Sequence, residues 1–239
     1  MRRLASFLDR RALLRLGIAF GLAVVVSTVV FAAIGPVSAC GPLQTGTPML
    51  DFEFAISTDD LERIFGEPGS ICQSDLVREF SRANRLDLTL YIPAYGLFLL
   101  AFFAANRRAS RGWAAWIGMA SVVGAMVNDV IETRYLLMVT NNFPGQPEWL
   151  VTIWTAATVK FALLGIASIA SAILMTEHAR PYRLLLATIA AGGGSAVVYA
   201  LLAPGSLGLL APASAAAWLA ILADMVCELW TARNKQQAA

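Results

Sequence analysis

The sequence predicts an all-α fold: a polytopic integral membrane helix bundle with six transmembrane helices and a small external helical subdomain between helices 1 and 2. Three observations predict it. The 239 residues are 58% hydrophobic and only 14% charged, with a mean hydropathy of +0.65, whereas soluble domains run nearer half apolar and a quarter charged. The apolar residues come in six blocks, each long enough to cross ~30 Å of hydrocarbon, and do not recur at the short periods of a shared soluble core. The basic residues gather between alternate blocks, except in the long segment 40–86, whose four arginines stand beside eight acidic residues and which translocates with weak regard to charge. The net charge of +2 gives no sign of a nucleic-acid partner. A single histidine (His178) and three scattered cysteines argue against a metal centre, and no cofactor is expected.

The blocks are Leu16–Ala39, Asp87–Ala105, Trp113–Val139, Leu150–Met175, Leu184–Ala203 and Leu207–Trp230. The first follows the basic stretch "MRRLASFLDRRALLR" and ends at "VSAC", a sequence that also suits a lipoprotein signal cleaved before Cys40. Its apolar run exceeds the about 7–15 residues of a signal h-region. Gly17 and Gly21 carry the spacing that lets two membrane helices approach closely. An uncleaved first helix is the expectation. Pro204, Gly205, Gly208 and Pro212 make the turn between the last two blocks the least sharply defined.

Between blocks 1 and 2 lies the external segment 40–86; the whole chain, 1–239, otherwise reads as a single membrane domain. "CGPLQTGTP" is turn-rich. "STDDLERIFG" reads as a short helix capped by Ser57 or Thr58 and ended by Gly66. After "EPGS", a helix capped by Ser74 should run into the second span. Arg78, Arg82 and Arg85 share one of its faces, a solvated face partly paired with Glu79 or, alternatively, a headgroup-binding stripe. Cys40 and Cys72 fall on the same side of the membrane, either bridged by a disulfide or left as two thiols. Cys227 reads as a small packing residue.

Orientation follows from the arginines and lysines. The N-terminus, "NRRASRG", "EHARPYR" and the tail "ARNKQQAA" are basic, and "TNNFPGQPE" and "PGSLGLLAP" contain neither residue. The positive-inside rule places both termini and the basic loops in the cytoplasm, as in a multi-pass protein of the bacterial inner membrane. The bilayer is thus the first partner. The fifth block offers rows of small residues, Ala187, Ala191 and Ser195 beside Ala190 and Gly194, that suit helix packing, a homo-oligomer or a membrane-complex partner.

The third block carries unusual charge for a span. At 100° per residue, Gly118, Ser121, Ala125, Asn128, Asp129, Glu132 and Tyr135 share one face, with Arg134 on the other. Buried charge in a bilayer costs ~3 kcal/mol or more, so this face turns inward and finds partners. At 1.5 Å per residue, Asp129 and Lys160 of the fourth block fall at one depth. They should form an ion pair. Asp87 and Tyr91, at the start of the second span, lie nearby. Asp87, Tyr91, Asn128, Asp129, Glu132 and Lys160 form the candidate ligand, proton or cation-binding cluster. Its acids outnumber its lysine, so a carboxyl is protonated or a cation is bound. The alternative is a polar knot that fixes helix register. Asp224 and Glu228 lie near the other interface, within reach of Arg233.

The chain lacks the CxxC of membrane thiol oxidoreductases, the HxxxH sets of metal-dependent lipid hydrolases, the G-x-G-D of intramembrane aspartyl proteases and the DG…AR…D of CDP-alcohol phosphotransferases. It resembles a group of uncharacterised bacterial multi-helix membrane proteins in one respect. Their pattern is F-E before the second helix, L-D…Y at its start, D-x-x-E in the third and a lysine in the fourth. Here those are Phe52 and Glu53, Leu86 and Asp87 with Tyr91, Asp129 with Glu132, and Lys160. The resemblance attaches no function. Three expectations remain: a carrier or binding protein for a proton, cation or small amphiphile; a non-catalytic accessory or assembly subunit; or, less favoured, an intramembrane enzyme with Asp129 or Glu132 as acid or base, the balance leaning away from an enzyme.

Overall fold

In a computed structural model, residues 9–34, 38–177, 180–203 and 205–237 are described. Among the described residues, six helices are long and apolar enough to cross a membrane. They form a polytopic helical bundle.

Helix α1 spans Arg10–Ile34, displaced from its predicted block toward the basic end. Asp9 Oδ1 accepts the Ala12 N–H at 2.6 Å, so the arginines that flank the apolar run belong to the helix. Residues 35–37 of the predicted block lie outside the described residues, and Ala39 is in the connection.

A compact cap follows. Helix α2, Pro48–Glu53, begins at the last residue of the turn-rich stretch and is not anticipated by the sequence. Pro48 stands in its first turn, where a missing N–H costs nothing. The Asp51 carboxylate holds the preceding loop by accepting the Gln44 and Thr45 N–H groups, each at 2.7 Å. Helix α3, Thr58–Phe65, has the expected Ser57 cap as a reciprocal box with Asp60, and ends at Gly66. Gly66 has φ +83°, and a Cβ there would also lie 3.0 Å from Cys40 Sγ, so glycine is required twice over. Phe52, Phe65 and Phe80 pack edge-on or tilted, with centroids 4.9 to 5.2 Å apart. They join Leu136, Val139, Leu150 and Ile153 of the bundle in one apolar cluster. The cap is therefore seated on the bundle through a shared core.

Helix α4, Ile71–Leu86, begins earlier than the sequence suggests. Ser70, released by the turn before it, caps the helix by accepting the Gln73 N–H. Ser74 is interior and donates to the Ile71 carbonyl. Arg78 pairs with Asp75 at 2.8 Å, one turn the other way from the anticipated Glu79. A disulfide joins Cys40 to Cys72, with Cα atoms 6.2 Å apart, and ties the chain after α1 to the start of α4.

At Asp87–Tyr91 the helix widens into a π-helical turn before continuing as α5, Ile92–Asn106. The cause is local. Pro93 lacks an N–H and its ring crowds the carbonyl a turn before it, and the Ile92 N–H bonds the Asp87 carbonyl instead. Helix α6, Gly112–Asn141, and helix α7, Pro147–Met175, are antiparallel neighbours with the most extensive pairing in the bundle. Helix α8, Pro181–Leu202, and helix α9, Leu210–Gln237, follow, the latter after a 3₁₀ turn at Leu207–Leu209.

Each span packs on the next, and α9 returns to α1, so the six form a closed ring. The small residues of α8 are used inside it. A Cβ on Gly194 would lie 2.7 Å from the Gly165 carbonyl oxygen, and one on Gly193 would lie 2.6 Å from that of Ala213. Backbone contact of this kind supplies association energy between helices in lipid. Gly192 and Ser195 remain exposed. The sparsest joint of the ring is between α1 and α9. They touch where Gly17 meets Met225 and Gly21 meets Leu222, and a cavity separates them toward the cap.

Candidate functional site

Lys160 is the centre of the site. It sits on the inner face of α7, and its side chain is 6% exposed. Three carboxylates surround it. Glu132 Oε2 lies 2.8 Å from Nζ, with Oε1 accepting a hydrogen bond at 2.9 Å, and Asp129 Oδ1 lies at 3.3 Å. The third is Glu53 Oε2, also at 3.3 Å, delivered by α2 of the cap. The expected Asp129–Lys160 contact is present, but Glu132 is the closer partner. The two acids are one short step apart on α6 and reach the same ammonium.

A second layer orients these groups. Tyr95 donates its hydroxyl to Asp129 Oδ2 at 2.8 Å, and Thr133 donates to Asp87 Oδ2 at 2.9 Å. Asp87 stands at the π turn, which places it beside α6. Burial raises the Glu53 carboxyl, and the nearby Lys160 ammonium only partly opposes this, so it sits above the ordinary glutamate value.

The cluster forms one wall of a cavity of about 740 Å³. Its volume is in the ~300–1,000 Å³ range of small-molecule sites. Glu53, Asp87, Asp129, Glu132 and Lys160 supply the charged wall, and Gly46 and Thr47 with the first turn of α2 line it from the cap. The remainder is largely hydrocarbon and aromatic, contributed mainly by α1 and α9. Val25 and Val29 of α1 and Leu219 of α9 line it and are 39%, 65% and 55% exposed. Exposed residues of α1 and α9 thus line the cavity where these two helices separate, at the sparsest joint of the ring.

Two buried side chains lining it lack a partner among the described residues: Asn84 Nδ2 and Ser214 Oγ. Their residues are 1% and 9% exposed. Tyr91, Tyr95 and Trp218 form a contiguous aromatic patch, with centroids 5.3 to 6.3 Å apart.

Of the residues singled out in the sequence, Asp87, Tyr91, Asp129, Glu132 and Lys160 are brought to this cavity. Asn128 is not. It donates to the Gly124 carbonyl and lines a shallow groove with Thr152 and Thr155, because one residue's 100° rotation carries it off the inner face. Sequence reasoning missed the roles of Glu53, Asn84, Tyr95 and Ser214. Glu53 had a signal in the Phe52-Glu53 pair before the second span. The others are single polar residues in apolar or helical surroundings and have none.

A second buried network occupies the opposite end. Arg183, 1% exposed, makes a two-pronged contact with Asp224 at 2.8 and 3.1 Å. Glu228 lies 3.3 Å from Arg183, 2.8 Å from Arg10 and 3.8 Å from Arg180. The two acids thus meet arginines of α1, α8 and the α8 cap. The Arg233 side chain, the anticipated partner, lies outside the described residues.

No protein-family model, no curated protein and no solved structure matches this chain.

Proposed function

We propose that the protein binds a membrane-soluble amphiphile, as a carrier or binding protein of the bacterial inner membrane. The polar end would sit on Asp87, Asp129, Glu132 and Lys160 and the apolar body between α1 and α9. One observation carries this reading: a largely apolar cavity of about 740 Å³, lined by exposed residues of α1 and α9, that ends on buried charge. A charge cluster that served only to fix helix register would be expected in a filled core, since interiors pack to crystal-like density. The basic loops favour both termini in the cytoplasm, with the cap outside.

The experiment is photolabelling of the purified protein in nanodiscs with a long-chain 1-alkanol bearing a diazirine in its chain. Peptides of α1 and α9 that line the cavity should be labelled. Ala215→Trp, which puts an indole in the mouth lined by exposed Ala215, should abolish that labelling and leave the protein monodisperse. Equal labelling of both proteins would reject the cavity as the binding site.

A further inference from the structure

We propose that the ligand is a long-chain cationic amphiphile whose head is an ammonium with a neighbouring hydroxyl. This rests on the binding reading above and names the chemistry that the site selects. Four carboxyl groups line the cavity, Glu53, Asp87, Asp129 and Glu132, and Lys160 is the single basic residue among the described lining residues. Lys160 already contacts Glu53, Asp129 and Glu132. Asp87 does not share it; its contact is the Thr133 hydroxyl. A cationic head brings the missing counter-charge, whereas an anionic head would add to the excess.

The aromatic patch points the same way. Tyr91 lines the cavity beside Asp87 in the π turn, and Tyr95 and Trp218 continue the surface. Aromatic faces next to carboxylates are the surroundings in which an ammonium is held by both ion pairing and ring quadrupoles. The unpartnered buried atoms supply the second half of the head. Asn84 Nδ2 is a donor in need of an acceptor, and Ser214 Oγ can donate or accept. A hydroxyl near the ammonium satisfies such groups, and leaving buried polar atoms without partners is costly. The hydrocarbon chain then follows the apolar walls between Val25 and Val29 on one side and Ala215 and Leu219 on the other.

The test compares three diazirine probes of one chain length on the full protein in nanodiscs: a 2-amino-1-alkanol, a 1-alkanol and an alkanoic acid. The amino alcohol should label the α1 and α9 lining about tenfold more than the alkanol, the factor of one charge-assisted contact, and the acid least. Asp87→Asn, checked for an intact Cys40–Cys72 bridge and monodisperse elution, should bring the ratio of amino alcohol to alkanol toward one. Equal labelling by amino alcohol and alkanol in the native protein would overturn the cationic head and leave amphiphile binding standing. Preference for the acid, or an unchanged ratio in the Asp87→Asn protein, would also overturn it. Absence of lining labels from all three probes would overturn both readings.

Discussion

The two buried charge networks differ in kind, and the difference separates structure from function. Around Arg183, the guanidinium grips one carboxylate with two prongs, and the second acid is shared with Arg10 and Arg180. This network joins α1, α8 and α9 where they pack closely. Around Lys160, one ammonium serves three carboxylates, a fourth lies nearby, and a cavity stands open beside them. A two-pronged Arg183–Asp224 pair, backed by a second acid 3.3 Å away, accounts for itself as a register device. An unmatched cluster on a cavity wall does not.

Mutation of the two cations should give the largest effects and expose this contrast. Arg183→Met and Lys160→Met should each cost about 3–5 kcal/mol, as expected when a buried pair is broken from one side. Their rescue should differ. Arg183→Met with Asp224→Leu should recover most of the folded yield, because Glu228 keeps Arg10 and Arg180. Lys160→Met with Asp129→Leu should recover only part of it, because Glu53 and Glu132 still face one another. Folded yield in detergent measures both. Full rescue of the Lys160 double variant would mean that the two remaining acids are neutral or hydrated, and the contrast would fail.

The disulfide comes next in size. It anchors the cap that delivers Glu53 to Lys160, and replacing both Cys40 and Cys72 by alanine should cost about 2–4 kcal/mol. Thiol labelling of the denatured, unreduced native protein should find one reactive cysteine, Cys227. Cap loss should weaken alkanol labelling in the cavity and leave the Arg183 end unchanged.

What was legible in the sequence follows the same division. Six spans could be read because apolar length reports directly on crossing a bilayer. Asp129, Glu132 and Lys160 could be read because charge within such a span is rare and helical geometry sets its depth. The capped helix at Thr58–Phe65 followed from Ser57 and Gly66, whose roles are local. Glu53 was harder, because its partner lies 107 residues away and its helix, α2, is defined by tertiary packing on Phe65 and Phe80. Arg183 reads in sequence as one of the loop arginines of the basic end, since nothing in "EHARPYR" shows that Asp224 waits within the bundle. The cavity itself could not be read at all. It arises where α1 and α9 separate, a property of helix placement.

Smaller effects belong to the cap. Burial alone would raise the Asp60 carboxyl, but the Ile56 N–H, the Ser57 hydroxyl and the Arg63 guanidinium outweigh that and hold it below the ordinary aspartate value. A lowered folded-state value means that its contribution is complete above the ordinary aspartate pKa of about 3.9 and is lost as pH falls through the lowered value. Glu53, raised by burial, has the opposite sign: its contribution is complete below the ordinary glutamate range and is lost as pH rises through the raised value. Thermal unfolding from pH 3 to 6 should therefore show a gentler acid limb in Asp60→Asn than in the native protein. Ser57→Ala should cost about 1 kcal/mol at neutral pH through the lost cap.

The smallest effect is expected at Arg78. Its pair with Asp75 is more than half exposed on both sides, and Arg78→Gln should change stability by less than about 0.5 kcal/mol. A larger loss in the same unfolding assay would show that exposed pairs in this protein behave like the buried ones.

The most direct test of the central claim is an experimental density map of the protein in native lipid. Elongated density should run from the gap between Val29 and Ala215 to a rounded end within hydrogen-bonding distance of Asp87 or Glu132, and no such density should enter the Arg183 network. A map in which α1 and α9 close together along their whole length, with Lys160 and its carboxylates in a filled core, would contradict the account.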